Sequence, residues 1–232
     1  MASLTTHLLN LDPTALTQAT QHPFLTAAAT STLPKSKLQA WLGQDRLYQI
    51  AYLPFIGTLL SRIGIPDSAD REATLEWRTA DLLLDALTNI RDEMRLFEST
   101  AEGEGWLDAI CGVQAGRQTR AYQDLFAGAT AQGRGVVVGL VVLWATESCY
   151  LRAWRWAKGQ VTRKEGDGEG DVMQRTFIPA WSSGEFEGFV ERIRGVVDEF
   201  GEQMERDGRE WRECEAAWRQ VLWAEREFWP DV

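Results

Sequence analysis

The sequence predicts an all-α protein built as one domain of packed helices. Apolar residues recur at spacings of three and four along most of the chain, and no segment of strand length alternates apolar with polar residues. With 232 residues, of which 44 per cent are hydrophobic and 11 are Trp, the chain is long enough to form one large core. We therefore expect a single domain over residues 1–232.

Prolines, glycines and capping residues predict where each helix begins and ends. Pro34 opens the second helix, Pro54 lies inside it, and Pro230 stops the last one. Ser182 and Glu185 have capping-box spacing ahead of the sixth. The helices are expected at about 14–25, 34–63, 70–98, 114–129, 135–157, 184–205 and 209–229.

Two segments are expected to lie outside this helical pattern. Residues 1–13 are predicted to form an irregular N-terminus. Residues 159–172 are polar and rich in glycine, so they cannot bury enough apolar surface to pack, and we expect a mobile surface insertion there.

The amino-acid composition limits which partners and cofactors are expected. The net charge is −10, so neither nucleic acid nor an anionic membrane is an expected partner. Three cysteines without CxxC spacing and only two histidines predict no metal site, no disulfide framework and no cofactor. The apolar run Val136 to Thr146 is shorter than the roughly 18 residues that span a bilayer, and no Lys or Arg precedes Lys35. We expect a cytoplasmic protein, and Trp residues on the acidic final helices favour a homo-oligomer, either a dimer or a tetramer.

Three predicted helices each place one carboxylate on an apolar face. Glu147 follows the uncharged run, so its helix should be buried on most faces. Asp45 lies among the apolar residues of the second helix, and Glu225 lies on the apolar stripe of the last, whereas Glu227 projects to the opposite side. One such acid is usually a core residue bonded to Tyr or Arg. Three of them, with few inward Lys or Arg, predict a shared polar cavity.

Tyrosines flank this predicted cavity. Tyr48 follows Asp45 by three residues, Tyr150 follows Glu147 by three, and Tyr122 begins an apolar stripe of its own helix. Aromatic walls with convergent carboxylates suit a small, flat, nitrogen-rich ligand. The residues alone leave an alternative open, in which the tyrosines are ordinary core aromatics and Arg120 or Arg152 neutralises an inward acid.

Five short segments together resemble the TenA (thiaminase II-like) family, in the family's order and from about residue 20 to 229. They are His22-Pro23-Phe24, Gln44-Asp45-Arg46-Leu47-Tyr48, Thr119-Arg120-Ala121-Tyr122, Leu143-Trp144-Ala145-Thr146-Glu147-Ser148-Cys149-Tyr150 and Glu225-Arg226-Glu227-Phe228-Trp229. The resemblance implies a haem-oxygenase-like helical bundle that binds an aminopyrimidine related to the thiamin precursor. Within it, Asp45 would bind the amino group and the neighbouring ring nitrogen, and Glu225 would transfer protons.

The candidate site residues combine the helical-face argument with this resemblance. The catalytic candidates are Glu225 and Glu147. The substrate-binding candidates are aromatic or acidic, and Trp181 can equally be read as a hydrophobic-staple residue; they are Asp45, Tyr48, Tyr122, Tyr150, Trp181, Phe228 and Phe24.

One departure from the family decides the expected chemistry. The thiaminase branch has a Pro-Cys-x-x-x-Tyr motif, and aligning its Tyr on Tyr150 puts Thr146 in place of the nucleophilic Cys. Cys149 is offset by nearly a turn, and the pattern resembles the branch that lacks this Cys. The resemblance therefore implies a Cys-independent hydrolase of an aminopyrimidine side chain in thiamin salvage or repair, with weak or absent thiaminase II activity. The alternatives are a non-catalytic protein that retains the aminopyrimidine pocket and a helical scaffold without a ligand.

Overall fold

The computed structural model describes residues 2–162 and 171–232, and throughout these ranges the chain is helix and connection, with no strand. This confirms the all-α prediction. The helices are α1 Leu4–Leu9, α2 Pro13–Thr20, α3 Pro23–Ala29, α4 Lys35–Ser61, α5 Leu75–Gly103, α6 Leu107–Ile110, α7 Arg117–Ala129, α8 Val136–Gln160, α9 Ile178–Trp181, α10 Gly184–Glu202 and α11 Arg209–Phe228. A 3-10 turn, Arg71–Ala73, precedes α5, and a π-helical turn, Met173–Phe177, precedes α9.

Helix α8 is the centre of the bundle, and it packs against α2, α3, α7, α10 and α11. Among the described helices it alone is long and apolar enough to cross a membrane, but 78 per cent of its most apolar 18-residue stretch is buried inside the protein. That is the burial of a core helix. Gly139 lets α4 come close, because a Cβ there would overlap the Leu59 side chain.

The N-terminal residues correct the prediction of an irregular start. Leu4–Leu9 is a helix whose N-cap, Ser3, accepts a hydrogen bond from the Thr6 backbone N–H. Leu4 and Leu8 are almost fully buried, and Asp198 of α10 accepts hydrogen bonds from the backbone and hydroxyl of Thr5. Six residues would not be helical alone, so these tertiary contacts stabilise α1.

Three further boundaries differ from the prediction. The expected helix at 14–25 is split, because Pro23 starts a new helix capped by His22, whose Nδ1 accepts from the Phe24 backbone N–H at 3.2 Å. The cap of α10 is Ser183, not Ser182, and its side chain accepts from the Phe186 backbone N–H at 3.1 Å. Of the predicted insertion at 159–172, the first two residues end α8 and residues 163–170 lie outside the described residues.

Two hydrophobic clusters fill the bundle. The larger one packs α8 against α10 and α11 and contains the stacked pair Trp144 and Trp218. The smaller one is rich in tryptophan and includes Trp41, Trp154 and Trp229. Phe228 packs against both clusters. The candidate site lies at this junction.

Candidate functional site

One face of α4 supplies a polar stripe to the interior. Asp45, Tyr48, Gln49 and Tyr52 follow one another at spacings of three, one and three residues, which places them on neighbouring positions of one helical face. Asp45 is 4 per cent exposed and Gln49 is 1 per cent exposed. Apolar residues of the same helix surround the stripe, so α4 holds these polar groups inside the bundle.

Asp45, Tyr48 and Gln49 of this stripe form one wall of a cavity of about 30 Å³, which we call the acidic cavity. Helices α5, α7, α8 and α11 supply the other walls. Seven of the nine predicted site residues line it. Its lining residues are Asp45, Tyr48, Gln49, Ile90, Glu93, Tyr122, Thr146, Glu147, Tyr150, Glu225, Phe228 and Trp229.

The two catalytic candidates are each hydrogen-bonded to a tyrosine. The Tyr52 hydroxyl donates to Glu147 Oε1 at 2.6 Å, and the Tyr122 hydroxyl donates to Glu225 Oε1 at 2.5 Å. Glu225 is buried and the Glu147 residue is half-buried. The helix that carries Glu147 is buried on most faces, which confirms the prediction for α8.

Desolvation raises the pKa of both glutamates. Burial raises the pKa of Glu147 from 4.5 to about 7, and the hydrogen bond from Tyr52 opposes this. Burial raises the pKa of Glu225 from 4.5 to about 8; the bond from Tyr122 lowers it, and the charge of Glu147 raises it. At neutral pH, Glu225 therefore holds a proton while Glu147 is divided between its two forms.

Asp45 lies beside both glutamates without a cation to balance it. Burial raises the pKa of Asp45 well above its ordinary value, and the charges of Glu225 and Glu147 add to the shift. Within the described residues no Lys, Arg or His lies within 4 Å of any of these three carboxylates, and no three acids, Cys or His are placed to hold a metal ion. The cavity is thus a set of closely placed acids that is partly protonated.

Neither Arg120 nor Arg152 neutralises one of the inward-facing acids, which was the alternative left open by the sequence. The Arg152 guanidinium donates to the Ser148 hydroxyl at 3.4 Å, and that of Arg120 donates to the Ala115 carbonyl at 3.2 Å. Neither forms an ion pair with an inward acid in the described part of the chain.

Glu93 of α5 is a fourth acid of the cavity, and sequence reasoning missed it. Its Oε1 accepts a hydrogen bond from Trp181 Nε1 at 2.9 Å. Burial, followed by the charges of Asp45 and Glu147, raises its pKa well above 4.5. A usable signal existed, because Ile90, Glu93 and Phe97 have the spacing of one helical face.

Gln49 is the second lining residue that sequence reasoning missed. It follows Asp45 by four residues, so the helical-face test applied to Asp45 also selects Gln49.

Two predicted site residues lie outside the cavity. Trp181 is buried next to Tyr150, with ring centroids 5.3 Å apart, and it reaches the site through Glu93. Phe24 is fully buried and stacks on Trp229 at 5.7 Å, so it supports the wall from behind.

No thiol of the described residues lines the acidic cavity. Thr146 occupies the wall, and its hydroxyl donates to the Leu143 and Val142 carbonyls of its own helix. Cys149 is fully buried, and burial raises the pKa of its thiol well above 9. The Cys149 thiol is therefore protonated at neutral pH.

Two larger clefts share walls with the acidic cavity. One, of about 370 Å³, lies between α5, α8 and α10 and shares Ile90, Glu93, Glu147 and Tyr150 with it. The other, of about 590 Å³, lies on the far side of Phe228 and Trp229.

The fold and the cavity define a class of helical-bundle proteins with an acidic, aromatic-walled interior site. The sequence matches the TENA/THI-4/PQQC family over residues 10–232, so this chain belongs to that family. The structure is similar to that of a TenA homologue from Pyrococcus furiosus, with a TM-score of 0.79 and 21 per cent identity, covering 97 per cent of this chain and 98 per cent of that one. This confirms the expected helical-bundle fold.

Two curated relatives extend the comparison. A Fusarium pseudograminearum protein named "Probable transcription factor" is 28 per cent identical over 99 per cent of this chain, which spans 52 per cent of that protein's length. A Glycine max protein named "Probable bifunctional TENA-E protein" is 20 per cent identical over 91 per cent of this chain and 85 per cent of its own length.

Proposed function

We propose that this protein is a Cys-independent hydrolase that cleaves a C–N bond in the side chain of an aminopyrimidine, such as an amide or aminomethyl side chain, in thiamin salvage or repair. The observation that carries the proposal is the acidic cavity itself. It combines aromatic walls, four acids that have no cationic partner among the described residues, and Thr146, which the family resemblance aligns with the Cys of the thiaminase branch. Family membership and the named TENA-E relative support the thiamin connection.

Asp45 is placed to hydrogen-bond the ring edge that carries the amino group and the adjacent ring nitrogen. Burial and the neighbouring acids raise the pKa of Asp45 and so favour its protonated form, which offers one O–H donor beside one carbonyl acceptor. An aminopyrimidine presents the complementary pair, a ring nitrogen that accepts and an amino group that donates. Asp45 would thus bind two adjacent ring groups at once.

The positions of the two glutamates guide the assignment of the proton-transfer roles. Glu147 lines both the acidic cavity and the larger cleft beside α10, and its raised pKa of about 7 suits a general base, so we assign it to take a proton from water. The water oxygen then bonds to the carbon that carries the nitrogen substituent. Glu225, with a pKa of about 8, is protonated and donates to the nitrogen as its bond to carbon breaks. The amine leaves, and the proton taken by Glu147 can return to Glu225 for the next cycle.

The size of the cavity sets a condition on binding. A volume of about 30 Å³ corresponds to about two water molecules, so a pyrimidine ring needs the walls to open. Tyr48, Tyr150 and Phe228 are the half-buried aromatic residues of the wall, and we propose that the cavity opens by movement of these side chains. The cleft beside Glu93 and Glu147 would then receive the substituent.

A binding protein without turnover is the second candidate. The short bonds from Tyr52 and Tyr122 favour it, because a glutamate held by a strong hydrogen bond can serve to position a ligand without exchanging a proton.

A paired measurement separates the two functions. Calorimetry with 4-amino-5-aminomethylpyrimidine and its N-formyl amide reports binding, and release of amine or ammonia reports turnover. The hydrolase predicts both signals, with turnover lost and binding kept in Glu147→Gln. Glu227→Gln is the matched control, because Glu227 pairs with Arg226 and does not line the cavity. Binding without release would establish the binding protein, and the absence of both would reject the aminopyrimidine assignment.

A further inference from the structure

Gln49 carries a buried side-chain amide that has no hydrogen-bond partner. It is 1 per cent exposed, it lines the acidic cavity, and neither its Nε2 nor its Oε1 has a hydrogen-bond partner among the described residues. Few buried amides in folded proteins are left in this state.

Gln44, five residues earlier on the same helix, shows the usual arrangement. Its Oε1 accepts from the Gly116 backbone N–H at 2.8 Å and from the Thr119 hydroxyl at 2.6 Å, and its Nε2 donates to the Gln114 carbonyl at 3.0 Å. Gln44 thus connects α4 to the start of α7 by three hydrogen bonds, whereas the Gln49 side chain forms none with the described residues. A buried amide without hydrogen bonds lowers the stability of the fold. The position of the Gln49 amide in the cavity wall is therefore best explained by a ligand that forms these hydrogen bonds when it binds.

We infer that Gln49 is a ligand-recognition residue that binds a second hydrogen-bonding edge of the ring, separate from the edge that Asp45 binds. Gln49 lies one turn from Asp45 on the same face of α4. Two polar groups so placed can contact two separate edges of one flat ring. The Tyr150 hydroxyl is also buried on the cavity wall and adds a further polar group there.

Asp45 and Gln49 together define the ligand class more narrowly than Asp45 alone. An edge with one amino group and one ring nitrogen is common to aminopyridines and aminopyrimidines. The Gln49 amide N–H donates to the additional ring nitrogen that only the pyrimidine has. The inference rests on the proposed aminopyrimidine function, and it makes the second ring nitrogen the feature that selects the ligand.

The first test uses stability without a ligand. Gln49→Met keeps the size and helix propensity of the side chain and removes the unpaired donor and acceptor, so its Tm should rise by about 2 to 8 °C. Gln44→Met is the matched control on the same helix, and its Tm should fall because it breaks three hydrogen bonds. If Gln49→Met melts at or below the wild-type temperature, the amide is not held unpaired and the inference fails.

The second test uses two probes that differ in one ring atom, 4-amino-5-aminomethylpyrimidine and 2-amino-3-aminomethylpyridine. Both keep the amino edge and the substituent, and calorimetry is done at a pH at which both rings are neutral. The wild type should bind the pyrimidine about 3- to 10-fold more tightly, the range for one hydrogen bond between neutral groups. Gln49→Met should lose this preference and keep its affinity for the pyridine, whereas Gln44→Met should retain the preference.

The outcomes separate the two proposals. Equal affinity of the wild type for both probes would overturn the role of Gln49 and leave the aminopyrimidine function intact. Failure of the wild type to bind either probe would overturn both. A preference that persists in Gln49→Met would show that another residue reads the second nitrogen.

Discussion

Replacing Glu225 by Gln should remove a pH-dependent loss of stability. Glu225 is 6 per cent exposed, and its pKa is raised from 4.5 to about 8. Because the folded protein binds this proton more tightly than the unfolded chain does, the stabilisation is fully present below about pH 4.5 and is lost as the pH rises through about 8. At about 1.4 kcal/mol for each pH unit, the difference corresponds to about 5 kcal/mol, which is an upper figure because the cavity admits water.

Gln cannot ionise, but it has nearly the same shape and still accepts a hydrogen bond from Tyr122. The free energies of unfolding of Glu225→Gln and wild type should agree within about 1 kcal/mol at pH 5. At pH 9 the variant should be more stable by about 2 to 5 kcal/mol. Denaturant unfolding at both pH values measures the difference, with Glu227→Gln as a control whose pH dependence should parallel the wild type. Parallel curves for Glu225→Gln and wild type would refute the burial argument.

The other predictions concern the chemistry of the cavity. Asp45→Leu should weaken pyrimidine binding by about 2 to 3 kcal/mol in calorimetry, whereas Asp45→Asn, which keeps a donor and an acceptor, should cost less than about 1 kcal/mol; equal losses would mean that Asp45 binds as a carboxylate. The pH–rate profile should fall on the acidic side near pH 7, where the base Glu147 is protonated, and on the alkaline side near pH 8, where the acid Glu225 ionises. Glu147→Gln should remove the acidic limb and Glu225→Gln the alkaline limb, and each variant should lower kcat by about 100-fold or more. Thiamin cleavage should be weak, since Thr146 supplies no thiolate, and any turnover should survive thiol alkylation, contrary to a Cys mechanism.

Helical periodicity was enough to predict that acids from separate helices meet. Asp45, Glu147 and Glu225 lie on α4, α8 and α11, far apart in the sequence, and all three line one cavity. The reason is physical: an acid on an apolar stripe must follow that stripe into the core, and a bundle of this size has few places where several such acids can share solvation. The same argument separated Glu225 from Glu227.

Glu93 and Gln49 show where the same reasoning stopped short. Glu93 stands in a run of charged residues that includes Arg91, Asp92 and Arg95, so its context resembles a solvated surface. Only its spacing from Ile90 and Phe97 marks it as inward. Gln49 is uncharged, and a neutral amide on an apolar face gives a weaker pattern than an acid does.

The N-terminal helix could not be predicted from local pattern. Leu4–Leu9 is too short to be stable by itself, and its stability depends on Asp198, which lies 193 residues from Thr5 in the sequence. Short-range patterns do not report such contacts. The position of Phe24 behind Trp229, one layer away from the cavity, has the same origin, because it depends on how α3 and the end of α11 pack together.

The raised pKa values of the two glutamates come from packing and not from local sequence. Each lies on the apolar stripe of its helix, each is desolvated, and each accepts a hydrogen bond from one tyrosine. Burial is the largest cause of both shifts, and the charge of Glu147 raises the pKa of Glu225 further. Such an effect between two acids is mutual, and here it exists only because α8 packs against α11. A substitution that moved these helices apart, and so exposed the two carboxylates, should therefore lower both pKa values even if it touched neither acid.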